Sequence, residues 1–325
     1  MMKLLLPFAI AFVSLLAVTP AHAATLPGIS EFIDEMVDRH QFKRDELESL
    51  FDRVQHRQVV IDAISRPATT KPWLEYRAAF VNQKRIKSGL EFWNKYPKTL
   101  RRAERKYGVP KEIIVAIIGV ETIYGENMGS FYVIDALTTL AFDYPRRADF
   151  FRGELENYLL LAREQQFDLF DVRGSYAGAM GIPQFMPGSY LKYAVDFNGN
   201  HKTDLLGEAV DAIGSVANYL QGYGWITGEP VAARAQVGEE TLPSEINTSR
   251  SLAAWSEAGI VPDAGFAQYR QARLIDFTVE DGKEFWLAFN NFEVITRYNN
   301  SDFYAMSVFQ LAEALKAERK ASGSK

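Results

Sequence analysis

The sequence predicts a mainly helical α+β protein, and three observations carry that prediction. Apolar residues recur at helical spacing along most of the chain, and only residues 226–295 change to alternating and β-branched patterning. The composition, 47% hydrophobic and 24% charged, is that of a folded globular chain, and 325 residues suffice for one large domain or two to three small ones. Disorder, collagen and coiled coil are thereby excluded. With 36 basic residues against 41 acidic, no global basic field exists to hold nucleic acid or anionic lipid.

The elements follow in order. Lys3, an apolar run over 4–18, and Ala21-His22-Ala23 form the charged, apolar and small-residue regions of a secretory signal peptide, 1–23, with cleavage expected after Ala23. The run holds roughly 15 residues, short of the ~20 that cross a bilayer. There are no cysteines, so neither a disulfide framework nor a lipid-accepting cysteine is available. A soluble periplasmic protein without a membrane anchor is the expectation, with a monomer as the default state.

Residues 28–107 read as helices through Phe32, Met36, Leu47, Leu50, Val54, Phe80, Ile86, Leu90 and Trp93, broken at Pro67 and Pro72. Pro110 suits a first helical turn. The following helix, through Ile113, Ile114, Val115, Ile117, Ile118 and Val120 to a stop at Gly125, is apolar nearly all round and therefore buried. Leu137, Leu140, Phe150, Leu155, Leu159 and Leu161 give helix again over 134–162. The stretch 174–188 is rich in Gly and Pro and reads as an irregular loop. Helix returns over 211–222 and closes at Gly222 and Gly224. Strands are expected over 231–237, 273–279 and 285–289, and a last helix over 303–321.

Several chemistries are absent. There is no P-loop, no G-x-G-x-x-G after a strand, no G-x-S-x-G and no H-E-x-x-H. His40 and His56 sit in charged helical sequence, where a solvated role is the ordinary one. Carboxylates remain. Glu121 stands alone between Glu112 and Glu126, with Ile117 and Ile118 one turn back. Burial and the negative end of the helix macrodipole both favour its protonated form. Such an acid is what glycosidic cleavage requires. By pattern alone, Glu121 is either that acid or a structural glutamate held by hydrogen bonds. No matched second carboxylate is evident, so if Glu121 works alone the nucleophile comes from the substrate, which favours N-acetylated sugars.

Five ordered blocks carry a resemblance. They are Ile118-Gly119-Val120-Glu121-Thr122 with Tyr124-Gly125; Tyr144-Pro145-Arg146-Arg147-Ala148; Gly174-Ser175-Tyr176-Ala177-Gly178-Ala179-Met180-Gly181; Gln184-Phe185-Met186-Pro187; and Asp211-Ala212-Ile213-Gly214-Ser215-Val216-Ala217-Asn218-Tyr219. With Trp73 to Arg77 before them and Ile295 to Asn299 and Tyr304 to Met306 after, the sequence resembles the membrane-bound lytic transglycosylase B family over essentially the mature chain. The resemblance implies a lysozyme-like core over 110–225, a helical domain from 24–109 and 296–325, and a small β-containing subdomain over 226–295. It implies action on peptidoglycan glycan strands. There the glutamate protonates the bond between N-acetylmuramic acid and N-acetylglucosamine. It then activates the muramyl 6-hydroxyl, leaving a 1,6-anhydromuramyl end without consuming water. The alternatives are a muramidase-type hydrolase and a non-catalytic peptidoglycan-binding protein.

The resemblance also implies roles for other residues. Ser175 and Gln184 line the cleft beside the acid, although as bare sequence both are turn residues. Met180 and Phe185 form its apolar wall or fill the core. Tyr76, Tyr219, Tyr298 and Tyr304 line the sugar groove, where alone each reads as core. Asn299 holds a sugar hydroxyl or N-acetyl group. Arg146 and Arg147 suit the lactyl or stem-peptide carboxylates, or else open a solvated helix.

Asp196, Asn198 and Asn200 place oxygens at the first, third and fifth positions of an EF-hand-like loop, with the Lys202 carbonyl at the seventh. His201 replaces the usual sixth-position Gly, and Gly207 stands at the twelfth, so the ordinary motif is weak. In the resembling family a later carboxylate, here Asp211, closes the site, which implies weakly bound structural calcium and no catalytic cofactor. Cell-wall synthesis or secretion machinery would be natural company, but no motif marks a surface for it.

Overall fold

The computed structural model describes residues 26–66, 71–238, 246–263, 265–267 and 270–323. The expected signal peptide lies outside them. The described residues fall into two compact units that meet in sequence between His56 and Arg57.

The first unit is a helix pair, α1 (Ile29–His40) and α2 (Arg44–Arg53). Their apolar spacing buries Phe32, Ile33, Met36, Leu47 and Phe51, with Phe32 and Phe51 edge to face at 6.1 Å. Gln41 ends α1 in a left-handed conformation, its N–H returning to the Val37 carbonyl.

The second unit carries the rest. Helices α3 (Gln58–Ser65), α4 (Trp73–Phe80), α5 (Gln83–Lys95) and α6 (Pro97–Tyr107) precede the buried α7 (Lys111–Thr122). Pro110 caps α7 rather than starting it, and the helix stops at Thr122, short of Gly125. The span 134–162 divides into α8 (Val133–Asp143), a single 3-10 turn at Pro145–Arg147, and α9 (Ala148–Gln165). Pro145 causes the break: it disfavours helical geometry at Tyr144 and supplies no N–H. A two-residue ladder, β1 (Phe131–Tyr132) with β2 (Arg173–Gly174), leads into the irregular loop. Then come α10 (Pro187–Tyr193) and α11 (Ala209–Gly222).

The strand-bearing segment forms an antiparallel five-stranded sheet in the order β4-β6-β7-β3-β5. Its strands are β3 (Ala232–Val237), β4 (Ser249–Ser251), β5 (Ile260–Pro262), β6 (Gln271–Val279) and β7 (Gly282–Ala288), with α12 (Leu252–Glu257) between β4 and β5. Period-two alternation explains why β6 is buried on both faces. Ala272 and Leu274 join Leu252, Trp255, Ile260 and Leu287 on one side. On the other, Phe277 packs on Trp73 of α4 and on Phe303, at ring distances of 4.5 and 5.9 Å. Phe303 belongs to the last helix, α14 (Asp302–Gly323), reached through α13 (Asn290–Thr296). Arg273 ties these pieces together. From β6 its guanidinium grips both Asp302 oxygens, at 2.7 and 2.9 Å, and the Glu293 carboxylate at 2.8 Å. Among the described residues no helix is long and apolar enough to cross a membrane.

Candidate active site

The site is built around the C-terminal end of α7. Its last turn is held from two sides: Thr122 Oγ1 donates to the Ile182 carbonyl at 2.8 Å, and Arg85 Nε donates to the Gly119 carbonyl at 3.0 Å. Beyond Thr122 the backbone turns sharply, with Ile123 at φ 52° and Tyr124 at φ 61°. This left-handed pair drives the Tyr124 ring between α5 and α7, where its hydroxyl donates to the Arg85 carbonyl at 2.9 Å. A Cβ on Gly89 or Gly119 would run into that ring, which explains why glycine occupies the interior of both helices despite its cost there.

Glu121 is thus fixed at the floor of a groove of about 710 Å³. Burial raises its carboxyl to about 7, and the only opposing influence is a hydrogen bond from Tyr304, whose hydroxyl donates to Oε1 at 2.5 Å. Arg273 sets that contact at a distance, since Asp302, which it grips, opens the helix bearing Tyr304. Burial, and then the neighbouring Glu121, push the Tyr304 hydroxyl well above its ordinary value, so it stays a donor.

Of the residues singled out in the sequence, Glu121, Arg147, Ser175, Gln184, Phe185, Tyr219, Tyr298 and Asn299 line this groove together. Ser175 Oγ accepts from the Ala177 and Ala179 N–H groups, and Gln184, at φ 51°, donates to the Met128 and Gly181 carbonyls at 3.1 and 3.0 Å. These bonds shape the irregular loop. Phe185, Tyr219 and Tyr298 form an aromatic cluster with ring distances of 4.7 to 5.8 Å. The Tyr219 and Tyr298 hydroxyls are spent on the Arg297 and Pro183 carbonyls, so both rings are locked.

Four others lie off the groove lining. Met180 is fully buried and pairs through its backbone with Phe185. Tyr76 packs on Phe80 and Phe303, and burial, then Glu121, raises it to about 12. Tyr304 reaches the site through its hydroxyl, and Arg146 stands exposed in the 3-10 turn.

Several lining residues were given no site role in the sequence reading: Phe150, read there only as helix, Arg297, quoted only within a matching block, Tyr223, Asn300 and above all Glu154. Phe150, Tyr176 and Tyr223 are 42%, 37% and 41% exposed, which is unusual for rings and suits the stacking of sugar faces. Glu154 places a second carboxylate in the groove where none was expected. Its position within a helical pattern disguised it.

The 196–211 loop is tightly wound. Asp196 accepts from the N–H groups of Gly199, Asn200 and His201, at 2.6 to 3.2 Å, and the Asn198 and Asn200 side-chain Oδ1 atoms accept from Asn200 and Lys202 N–H. Asp211 is buried beneath, with its two oxygens accepting from Phe197 and Asp204 N–H at 2.8 and 2.9 Å. Glu208, missed in the sequence, accepts from both Asn198 and Asn200 side chains. The donor set is wholly oxygen and includes carboxylates with lone pairs to spare, which suits a hard cation. Among the described residues no group of three or more His, Cys, Asp or Glu side chains could hold a metal.

A buried acid with a raised pKa, at the end of a buried helix and under a tyrosine-walled groove, suits glycosidic cleavage, and similarity to solved lytic transglycosylases makes the protein a peptidoglycan-cleaving enzyme of that class, with a lysozyme-like fold. The chain belongs to the transglycosylase SLT domain family, whose pattern matches residues 25–313. It is 44% identical over 306 residues to membrane-bound lytic murein transglycosylase B of Escherichia coli, covering 91% of this chain and 84% of that one. Soluble lytic transglycosylase SltB1 of Pseudomonas aeruginosa superposes with a TM-score of 0.86 at 47% identity, covering 90% of this chain and 100% of that one. E. coli Slt35, crystallised in complex with calcium, gives 0.85 at 43% identity, covering 91% and 94%.

Proposed function

We propose that Glu121 is the single acid and base of this lytic transglycosylase, and the observation that carries the reading is its raised carboxyl under the Tyr304 hydroxyl. Near neutral pH a large share of Glu121 holds its proton. Tyr304 occupies Oε1, which leaves Oε2 to carry the mobile proton. That proton passes to the glycosidic oxygen of the N-acetylmuramic acid to N-acetylglucosamine bond as the bond to the anomeric carbon breaks. The carboxylate so formed takes the proton of the muramyl 6-hydroxyl, whose oxygen closes on the anomeric carbon as the 1,6-anhydro ring. Tyr304 supports the charged form at that moment.

The ring wall of Phe185, Tyr219 and Tyr298, with exposed Phe150, Tyr176 and Tyr223, orients the sugars and dries the acid, as Met180 does from behind. Ser175, Gln184 and Asn299 supply polar contacts to the N-acetyl groups and Arg147 faces the lactyl or stem-peptide carboxylates, while Tyr76 and Arg146, off the groove lining, would meet the substrate only beyond it. The substrate is a peptidoglycan glycan strand, and a related P. aeruginosa protein, SltB3, has been crystallised with a NAG-NAM-pentapeptide. We read 110–225 as the catalytic core, 24–109 with 296–325 as the helical domain and 226–295 as the sheet subdomain of a monomer. With that substrate and an expected signal peptide, we read the protein as periplasmic.

The 196–211 loop is read as a structural calcium site of Asp196, Asn198, Asn200, the Lys202 carbonyl and Asp211, which needs only two acidic side chains. Calcium there would brace the loop and take no part in the reaction. No cofactor serves the chemistry.

Mass spectrometry of the soluble products from peptidoglycan tests the reaction. Anhydromuropeptides from the wild type and at most a trace from Glu121→Gln over the same time are expected. Products heavier by one water would replace the reading with hydrolysis, and intact glycan with retained binding would make the protein a binder.

A further inference from the structure

Away from the groove, the exposed face of α6 carries a charge pattern that the acid-base chemistry does not use. Residues 95–106 hold six basic side chains and one acidic one, within a chain whose formal net charge is −5. Lys98, Arg101, Arg102 and Arg105 follow i, i+3, i+4, i+7 spacing, so they form one stripe about 10 Å long on the helix surface. Leu100, Ala103 and Tyr107 are buried on the opposite side. The one carboxylate, Glu104, lies off the stripe and pairs with Lys111.

The four cations line a recess of about 660 Å³ together with Thr99 and Asn198, and no carboxylate lines it. Arg102 is fixed by the neighbouring loop, its guanidinium 3.9 Å over the Phe197 ring and donating to the Phe197 carbonyl. Lys98, Arg101 and Arg105 stand exposed, and among the described residues no ion pair or hydrogen bond engages their charged ends. Lys98 with Arg102, and Arg101 with Arg105, are like-charged pairs one turn apart, and Lys98 stands at the positive end of the helix macrodipole. The stripe therefore costs α6 stability, and an anionic surface laid across it would offset that cost.

We propose that the α6 stripe adsorbs the protein on an anionic phospholipid surface, the headgroup phosphates pairing with Lys98, Arg101, Arg102 and Arg105. The chain as a whole offers no basic field, so the attraction is local to this helix. Among the described residues no large apolar side chain stands exposed over 95–106, so contact stops at the headgroups and nothing inserts. For the same reason a protein partner would find no apolar centre to pack on. A single free phosphate suits sheltered donors, whereas these are exposed and spread along the helix, which fits several headgroups at once. The expected signal peptide sends the chain to a compartment walled by membranes and away from nucleic acid. This role is separate from the cleavage reaction and does not depend on it.

Co-sedimentation of the mature protein with phosphatidylcholine vesicles, with and without phosphatidylglycerol, tests it. Binding is expected only with phosphatidylglycerol and should fall steeply as salt is raised. Each cation facing such a surface adds about fivefold, so Arg101→Ser with Arg105→Ser should weaken binding about thirtyfold. Arg234→Ser with Lys283→Ser removes the same charge from exposed positions on the sheet and should change binding by less than about threefold. Equal losses from the two pairs would reduce the effect to net charge and overturn the proposal, as would no binding to phosphatidylglycerol vesicles or binding that resists salt. Retention on polyglutamate through α6, without vesicle binding, would overturn it in favour of an acidic protein partner. Should the α6 double variant fail to fold, Lys98→Ser alone decides, with an expected loss of about fivefold. Release of anhydromuropeptides from soluble glycan fragments should be unchanged in the α6 variants, so failure of the reaction and failure of adsorption are read separately.

Discussion

The end of α7 and the five-stranded sheet follow opposite rules within one folded unit. The sheet satisfies its backbone in regular antiparallel pairs and hides Trp255 with its indole N–H on the Ala272 carbonyl at 2.8 Å. The α7 end keeps a carboxyl sheltered from water and two non-glycine residues in left-handed backbone. One region gathers stability and the other uses it, because a reactive acid needs an environment that a stable fold would avoid. The two are nevertheless joined, since Arg273 of the sheet grips Asp302 and so helps set Tyr304 over Glu121.

The sharpest test of that contrast is to damage each region in turn. Glu121→Gln should lower anhydromuropeptide release by roughly 10²–10⁴-fold with the fold intact, measured by product mass spectrometry and circular dichroism. Trp255→Ala should do the reverse, costing about 3–5 kcal/mol in urea unfolding while the folded fraction retains its kcat. A strong kcat effect from Trp255→Ala would dissolve the distinction.

A smaller effect tests the cost of the acid itself. The folded-state pKa of Glu121 is raised from 4.5 to about 7, so the native state holds its proton more tightly than the unfolded chain. Wild-type stability should therefore fall as pH rises through that window and level off above about 7. Glu121→Gln escapes this loss, so thermal melts should show its advantage growing from pH 5 to pH 8, to on the order of 2 kcal/mol. A constant gap would mean that Glu121 titrates normally.

Smaller still is the contribution of Tyr304. Its hydrogen bond favours the charged form, so Tyr304→Phe should move the alkaline limb of kcat/KM upward by less than about one unit. A downward move would reverse the role assigned to its hydroxyl. The mildest expected change is a rise of a few degrees in melting temperature with calcium against chelator, and its absence at saturating calcium would count against the loop as a site.

Periodicity made the long elements legible. The helix over Asp302–Gly323 and the strands β3, β6 and β7 lie within a few residues of where alternation and helical spacing put them. Short elements were not legible: α10, α12 and α13 have six or seven residues each, too few for a period to show. At the site, Glu121 stood out as a carboxylate in an apolar helix. Glu154 did not, since Glu156 and other charged residues surround it in an ordinary amphipathic pattern. The Tyr304 hydroxyl reaches across 183 residues of sequence, and neither spacing nor composition encodes that distance.

The left-handed pair after Thr122 bears on how this chain would respond to selection. Ile123 and Tyr124 each hold a conformation that costs a side-chain-bearing residue about 1–2 kcal/mol. Glycine at 123 would remove that cost, so a library screened only for heat tolerance should be enriched in Ile123→Gly. The same library screened for activity should reject any change at 124 that withdraws the ring wedged between α5 and α7. Thermal endurance and turnover would then pull neighbouring codons in different directions.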